Sequence, residues 1–176
     1  MLKALFLDMD ETLCDTPGAN VKAKLLMAQA LQTQHGKTFD GQGFADAYVT
    51  GIYREWSAAQ RARYMPIIEQ QSEEAFRVQL IRDLMAEHGV NNLSDESIQS
   101  LQDKFDKDRI EAFDFYPGIK EWLAEAREIF TLVVITNGPA FSQIPKVERV
   151  NMIAHVDHLI IGGQEPEEKP FPSIFE

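Results

Sequence analysis

Three short apolar runs punctuate the chain, each cut off by polar residues at its carboxyl end. Lys3 to Leu7 stops at the acid cluster Asp8-Met9-Asp10-Glu11, and Thr131 to Ile135 stops at Thr136-Asn137-Gly138. A third run, roughly Asp157 to Ile161, gives way to Gly162-Gly163 and the acidic loop Gln164 to Glu168. Runs apolar at successive positions fit strands buried on both faces of a parallel sheet. An amphipathic stretch from Gly118 to about Glu128 precedes the second run. Another, Ser142 to Met152 with a break expected near Pro145, precedes the third. Strand, helix, strand, helix, strand predicts an α/β fold with a parallel sheet.

Between the first and second runs the spacing is helical, from Ala19 to about Phe113. Val21, Leu25, Ala28 and Leu31 are expected on one face, and Phe44, Tyr48, Ile52 and Trp56 on another. Phe76, Leu80, Leu84 and Met85 form a third face behind the N-cap Ser72. Ile98, Leu101 and Phe105 form a fourth behind Ser94-Asp95-Glu96. With Gly36, Gly41, Gly43, Pro66 and Gly89 as breakers, the block predicts about four helices and almost no strand. Ser173-Ile174-Phe175-Glu176 has the look of a first helical turn, too short to hold alone.

Charge narrows the choice of partner. Seventeen basic against 28 acidic residues give a net charge of -11 over 176 residues, which argues against a general nucleic-acid binder. An acidic chain handling an anionic substrate needs local positive charge from a metal ion, a few lysines or arginines, or a helix N-terminus. The single cysteine, Cys14, cannot form an internal disulfide and reads as a packing residue in a reducing compartment. No apolar run reaches the roughly 18 residues that cross a bilayer, and Met1-Leu2-Lys3 opens no signal segment. The expectation is a cytoplasmic chain with neither membrane nor nucleic-acid partner.

Candidate chemistry gathers at the three strand ends. Asp8-x-Asp10-x-Thr12 places two carboxylates where one can act as nucleophile and the other carry a proton. Their paired charge implies a hard cation such as Mg²⁺. The Thr136 hydroxyl with neighbouring backbone N–H groups, and the ammonium of Lys169, are suited to phosphate oxygens. Each alone has a bland alternative: a solvated acidic turn, an Asn-Gly turn, a surface lysine. Their common placement after parallel strands makes one shared site the better reading. His155 and His158, with no further His or Cys nearby, read as structural. Arg54, Arg61 and Arg63 read as a solvated face of one helix, and Trp56 and Trp122 as core.

Phe6-Leu7-Asp8-Met9-Asp10-Glu11-Thr12-Leu13 resembles the first motif of the haloacid dehalogenase-like (HAD) hydrolase superfamily. Val134-Ile135-Thr136-Asn137-Gly138 resembles its second motif and Glu168-Lys169-Pro170 its third. Asp15-Thr16-Pro17-Gly18-Ala19 and the stretch Ile161 to Phe175 are similar to the N-acylneuraminate-9-phosphatase branch. The resemblance implies a Rossmann-like core formed by residues 1–15 and 114–176, with a helical cap, 16–113, inserted. It also implies a Mg²⁺-dependent phosphatase for a small phosphorylated metabolite such as a sugar-acid phosphate. Asp8 would be the nucleophile and Asp10 the acid/base. Thr136, Asn137 and Lys169 would hold phosphate, with Mg²⁺ on the Asp8 carboxylate and the Asp10 carbonyl. The third acidic ligand of the family's fourth motif has no counterpart here. That leaves as alternatives a truncated, catalytically silent binding module whose first strand is an edge open to self-association, and a phosphomutase or nucleotide phosphatase.

Overall fold

The computed structural model describes residues 3–175. Met1, Leu2 and Glu176, which fall within the predicted chain start and last helical turn, lie outside the described residues. The three apolar runs form β1 (Ala4–Leu7), β2 (Thr131–Thr136) and β3 (His158–Ile161). They make one parallel sheet in the order β1-β2-β3, with Leu5 beside Leu132 and Thr136 beside Ile161.

The central strand behaves as its sequence predicts: Leu132 to Thr136 are all buried. Leu132 and Val134 join Met9, Leu13, Leu123, Val147 and Met152 on one face, while Val133 and Ile135 meet Ile174 on the other. β1 departs from the expected burial. Ala4 and Phe6 are exposed and Leu5 and Leu7 only half-buried. Among the described residues β1 pairs with β2 alone, so one side of the strand is open. Phe6, in register with Val133, has the ring edge of Phe175 as an aromatic neighbour at 5.8 Å.

Seven α-helices complete the described residues: α1 (Thr16–His35), α2 (Gly41–Ile52), α3 (Ala58–Gln70), α4 (Glu73–Glu87), α5 (Asp95–Ala112), α6 (Ile119–Arg127) and α7 (Ala140–Arg149). The chain divides into two compact units. One is Met1–Ala19 with Ile110–Glu176, carrying the sheet; the other, Asn20–Arg109, is helical. The helical unit is thus a few residues shorter at each end than the 16–113 expected. Its core is aromatic, with Phe44, Tyr48, Phe76 and Phe105 all buried. Among the described residues no helix is long and apolar enough to cross a membrane.

Six local expectations need correction. In α1 the buried side is Ala23, Met27, Ala28 and Leu31, while Val21 and Leu25 are exposed. The alanine side wins because it lets α2 approach closely: a Cβ on Gly41 would sit 2.5 Å from the Ala28 carbonyl oxygen. Gly41 and Gly43 therefore lie in the first turn of α2 rather than between helices, with Asp40 capping Gly43. Pro66 lies inside α3, a fifth helix of the middle block that was not anticipated. This helix buries fully only Tyr64, so it lacks an apolar stripe, yet Ser57 and Gln60 form a capping box that starts it. Pro145 is likewise inside α7, which begins at Ala140 and runs through it. Finally, Trp122 is exposed, and Arg54 sits past the end of α2 with φ 60°, paired with Glu73 at 2.7 Å, not on the helix of Arg61 and Arg63.

Candidate active site

Parallel pairing brings the ends of β1, β2 and β3 to the same edge of the sheet, and the polar residues that follow them meet there. The Lys169 ammonium donates to Asp8 Oδ1 at 2.5 Å and to the Ile135 carbonyl at 2.6 Å. Its backbone is clamped by Asn137, whose side-chain amide donates to the Lys169 carbonyl at 2.9 Å and accepts from the Lys169 N–H at 3.0 Å. The loop after β3 is also tied down by Glu168, which accepts from the Gly138 N–H at 3.0 Å. These contacts cross between strand ends far apart in sequence, so the loop carrying Lys169 is held against the end of β2. The segment beyond Lys169 forms only a four-residue 3₁₀ turn, Pro172–Phe175.

Asp10 is the most heavily bonded side chain of the group. Thr16 Oγ1 and Lys146 Nζ donate to Oδ1 at 2.5 and 2.8 Å. Gln143 Nε2 and Thr136 Oγ1 donate to Oδ2 at 3.2 and 3.4 Å. Burial alone would push the Asp10 carboxyl up, but the Lys146 charge and hydrogen bond, with those from Thr16 and Gln143, hold it below the ordinary aspartate range. These contacts thus favour the ionised carboxylate in this arrangement.

All five residues singled out in the sequence, Asp8, Asp10, Thr136, Asn137 and Lys169, are brought to this one region. The sequence pattern missed Thr16, Gln143 and Lys146. Gln143 and Lys146 are 5% and 4% exposed on α7. The signal available was their spacing of three, which puts both on one face of α7 beside the apolar Val147. His155 and His158 take no part; His155 packs edge-on against Phe115 at 5.2 Å. Among the described residues no group of three or more His, Cys, Asp or Glu side chains is placed to hold a metal.

Two neighbouring residues make the local architecture testable. Cys14 is fully buried, and burial, with Asp10 and Asp114 adding to it, pushes its thiol up to about 12. We expect iodoacetamide at neutral pH to leave the native protein unmodified and to alkylate Cys14 only after denaturation, as read by intact mass. Gly163 stacks on the loop after β2: its N–H donates to the Gly138 carbonyl, and an added Cβ would run into that carbonyl and lie 2.9 Å from the Ala140 nitrogen. Gly163→Ala is expected to cost about 1–3 kcal/mol, measured by denaturant titration, because both obstacles are backbone.

Comparison with known proteins bears on the family and the fold. A profile for haloacid dehalogenase-like hydrolases matches residues 2–176. The N-acylneuraminate-9-phosphatases of Rattus norvegicus and Homo sapiens are each 25% identical over 174 residues, which is 99% of this chain and 66% of theirs. The chain thus spans just under two thirds of the length of these relatives. In fold, a magnesium-bound HAD-hydrolase of Bacillus subtilis is similar at a TM-score of 0.61 and 16% identity, over 99% of this chain and 69% of that one. With a profile match along almost its full length, the chain belongs to the haloacid dehalogenase-like hydrolase family.

Proposed function

We propose that the protein hydrolyses a phosphomonoester of a small metabolite, with a sugar-acid phosphate such as N-acylneuraminate 9-phosphate as the first candidate. The carrying observation is the pairing of two differently held aspartates at one end of a parallel sheet. Asp8 is half-exposed, with Lys169 on one oxygen, whereas Asp10 is mostly buried and bonded on both. The accessible carboxylate is suited to attack phosphorus in line, forming an Asp8–O–P bond as the P–O bond to the leaving alkoxide breaks. Asp10 would enter this step carrying a proton, a form that the negative charge of an incoming phosphate favours, and give it to that oxygen, leaving a neutral alcohol and an ionised Asp10. It would then take a proton from the water that attacks the aspartyl-phosphate, releasing inorganic phosphate and restoring Asp8. Lys169, the Thr136 hydroxyl and the Asn137 main-chain N–H would meet the non-bridging oxygens. The Asn137 side chain is already spent on the Lys169 backbone.

The donors also suit Mg²⁺, which prefers hard oxygen ligands and commonly uses one or two carboxylates completed by water and substrate phosphate. The Asp8 carboxylate, 43% exposed, and the Asp10 main-chain carbonyl would hold it. When bound, the ion offsets the repulsion between an anionic nucleophile and an anionic ester.

The test is phosphate release from a panel of sugar-acid phosphates, nucleotides and p-nitrophenyl phosphate, with Mg²⁺ or with chelator. Release with Mg²⁺, lost on chelation and highest on a sugar-acid phosphate, is expected. A folded protein that releases phosphate from nothing in the panel contradicts the proposal. Transfer of phosphate between positions of one sugar without net release would instead mark a mutase.

A second reading, self-association through β1, is favoured by the open side of that strand and the exposed Phe6. Sedimentation of the parent beside Phe6→Lys tests it. A dimer abolished by the substitution supports pairing, and a parent that stays monomeric at high concentration contradicts it.

A further inference from the structure

We infer that Lys146, with Gln143 one turn earlier on α7, is a positioning residue that fixes the plane of the Asp10 carboxylate for proton transfer. This rests on the reading of Asp10 as the acid/base given above. Lysine is seldom fully buried without a partner that repays its desolvation. Lys146 is 4% exposed, and its ammonium reaches Asp10 Oδ1 at 2.8 Å while lying 5.6 Å from the centre of the Phe113 ring. Phe113 is itself 1% exposed, so the ammonium is enclosed on that side by a surface that does not compete for its protons.

The geometry is that of a clamp. Gln143 and Lys146 are three residues apart on one helix and take different oxygens of the same carboxylate, Gln143 holding Oδ2 at 3.2 Å and Lys146 holding Oδ1. Gln143 Nε2 is anchored in turn by donating to the Asn137 carbonyl at 2.7 Å. Two donors from a single rigid element, one on each oxygen, prevent the carboxylate from rotating about its Cβ–Cγ bond. Thr16 and Thr136 approach from α1 and β2 and complete the set. A purely structural role for these contacts would not depend on which ester is the substrate.

That difference sets the experiment. Protonation of the departing oxygen matters most when the leaving alcohol is a poor one. The comparison is therefore kcat/KM for an alkyl phosphate against p-nitrophenyl phosphate in the parent, Lys146→Gln, Lys146→Arg and Gln143→Ala. Because kcat/KM reports only steps through the first irreversible one, it isolates transfer to Asp8 from the later hydrolysis. Lys146→Gln is expected to lower kcat/KM for the alkyl ester by roughly 10²-fold, the scale of general acid–base catalysis, and by at least about tenfold less for p-nitrophenyl phosphate. Lys146→Arg should recover part of the alkyl-ester loss. Gln143→Ala should show the same selectivity at smaller size, which preserves the test if the lysine variants fold poorly. Equal losses on the two esters, or no loss on the alkyl ester, in both a lysine variant and Gln143→Ala overturn the clamp while leaving the phosphatase reading intact. A folded parent inactive on both esters overturns the two together.

Discussion

Replacing Asp8 by Asn is expected to reduce phosphate release by roughly 10³-fold or more, the scale of losing a covalent nucleophile, while leaving the fold in place. The substitution is isosteric, and Asp8 is 43% exposed, so no buried charge is created in its absence. Its ion pair with Lys169 is also partly exposed, at 22% for the lysine, and contributes little to stability. Lys169 keeps its second bond to the Ile135 carbonyl and its backbone clamp on Asn137. Activity and stability should therefore separate: circular dichroism and the denaturation midpoint stay near the parent's, while turnover collapses. An Asp8→Asn protein with parental turnover would show that the nucleophile lies elsewhere.

Asp10 is expected to behave in the opposite way, because its removal damages the fold as well as the chemistry. The Asp10 side chain is 23% exposed and its partner Lys146 only 5%. Asp10→Ala would leave the buried ammonium without that carboxylate, a change that typically costs about 3–5 kcal/mol. Adding Lys146→Met should recover much of the loss, since an apolar side chain of similar length then replaces the ammonium. Denaturant titration of the four proteins of this cycle measures it, and additivity of the two substitutions would contradict the coupling. The pH dependence follows from the same pair. The Asp10 carboxyl is depressed on folding, so its contribution is present in full above the ordinary aspartate range. It is lost as pH falls through the lower folded value, and acid unfolding of the parent should be blunted in the Asp10→Ala/Lys146→Met protein.

Which parts of this molecule could be read from the chain alone follows from how local their causes are. The strand ends at Leu7, Thr136 and Ile161 were legible because an apolar run stopping at Asp, Thr-Asn-Gly or Gly-Gly is a local pattern. Parallel pairing then sends all three ends to one edge, which is why Asp8, Asp10, Thr136, Asn137 and Lys169 could be named together. α4 was legible for a similar reason, since Ser72 caps it and Phe76, Leu80 and Leu84 are its buried side.

What escaped depends on partners distant in sequence. α1 carries apolar residues on both sides, and only the close approach of α2 at Gly41 selects the alanine side over Val21 and Leu25. α3 has no apolar stripe to announce it, and Pro66 reads locally as a stop. Burial of β1 was overestimated because its four residues cannot reveal that one side has no neighbouring strand among the described residues. Lys146 reads as an ordinary surface lysine until the sheet brings Asp10, 136 residues earlier, against it.

The most direct measurement of the central claim is chemical trapping of the phosphorylated chain. The protein is mixed with a phosphate ester and Mg²⁺, quenched in acid within a turnover, and examined by intact mass and peptide mapping. One phosphoryl group on the peptide containing Asp8, absent from Asp8→Asn, is the predicted result. Phosphate released by the parent with no phosphorylated chain at any quench time, or a phosphoryl group found on a different residue, would contradict it.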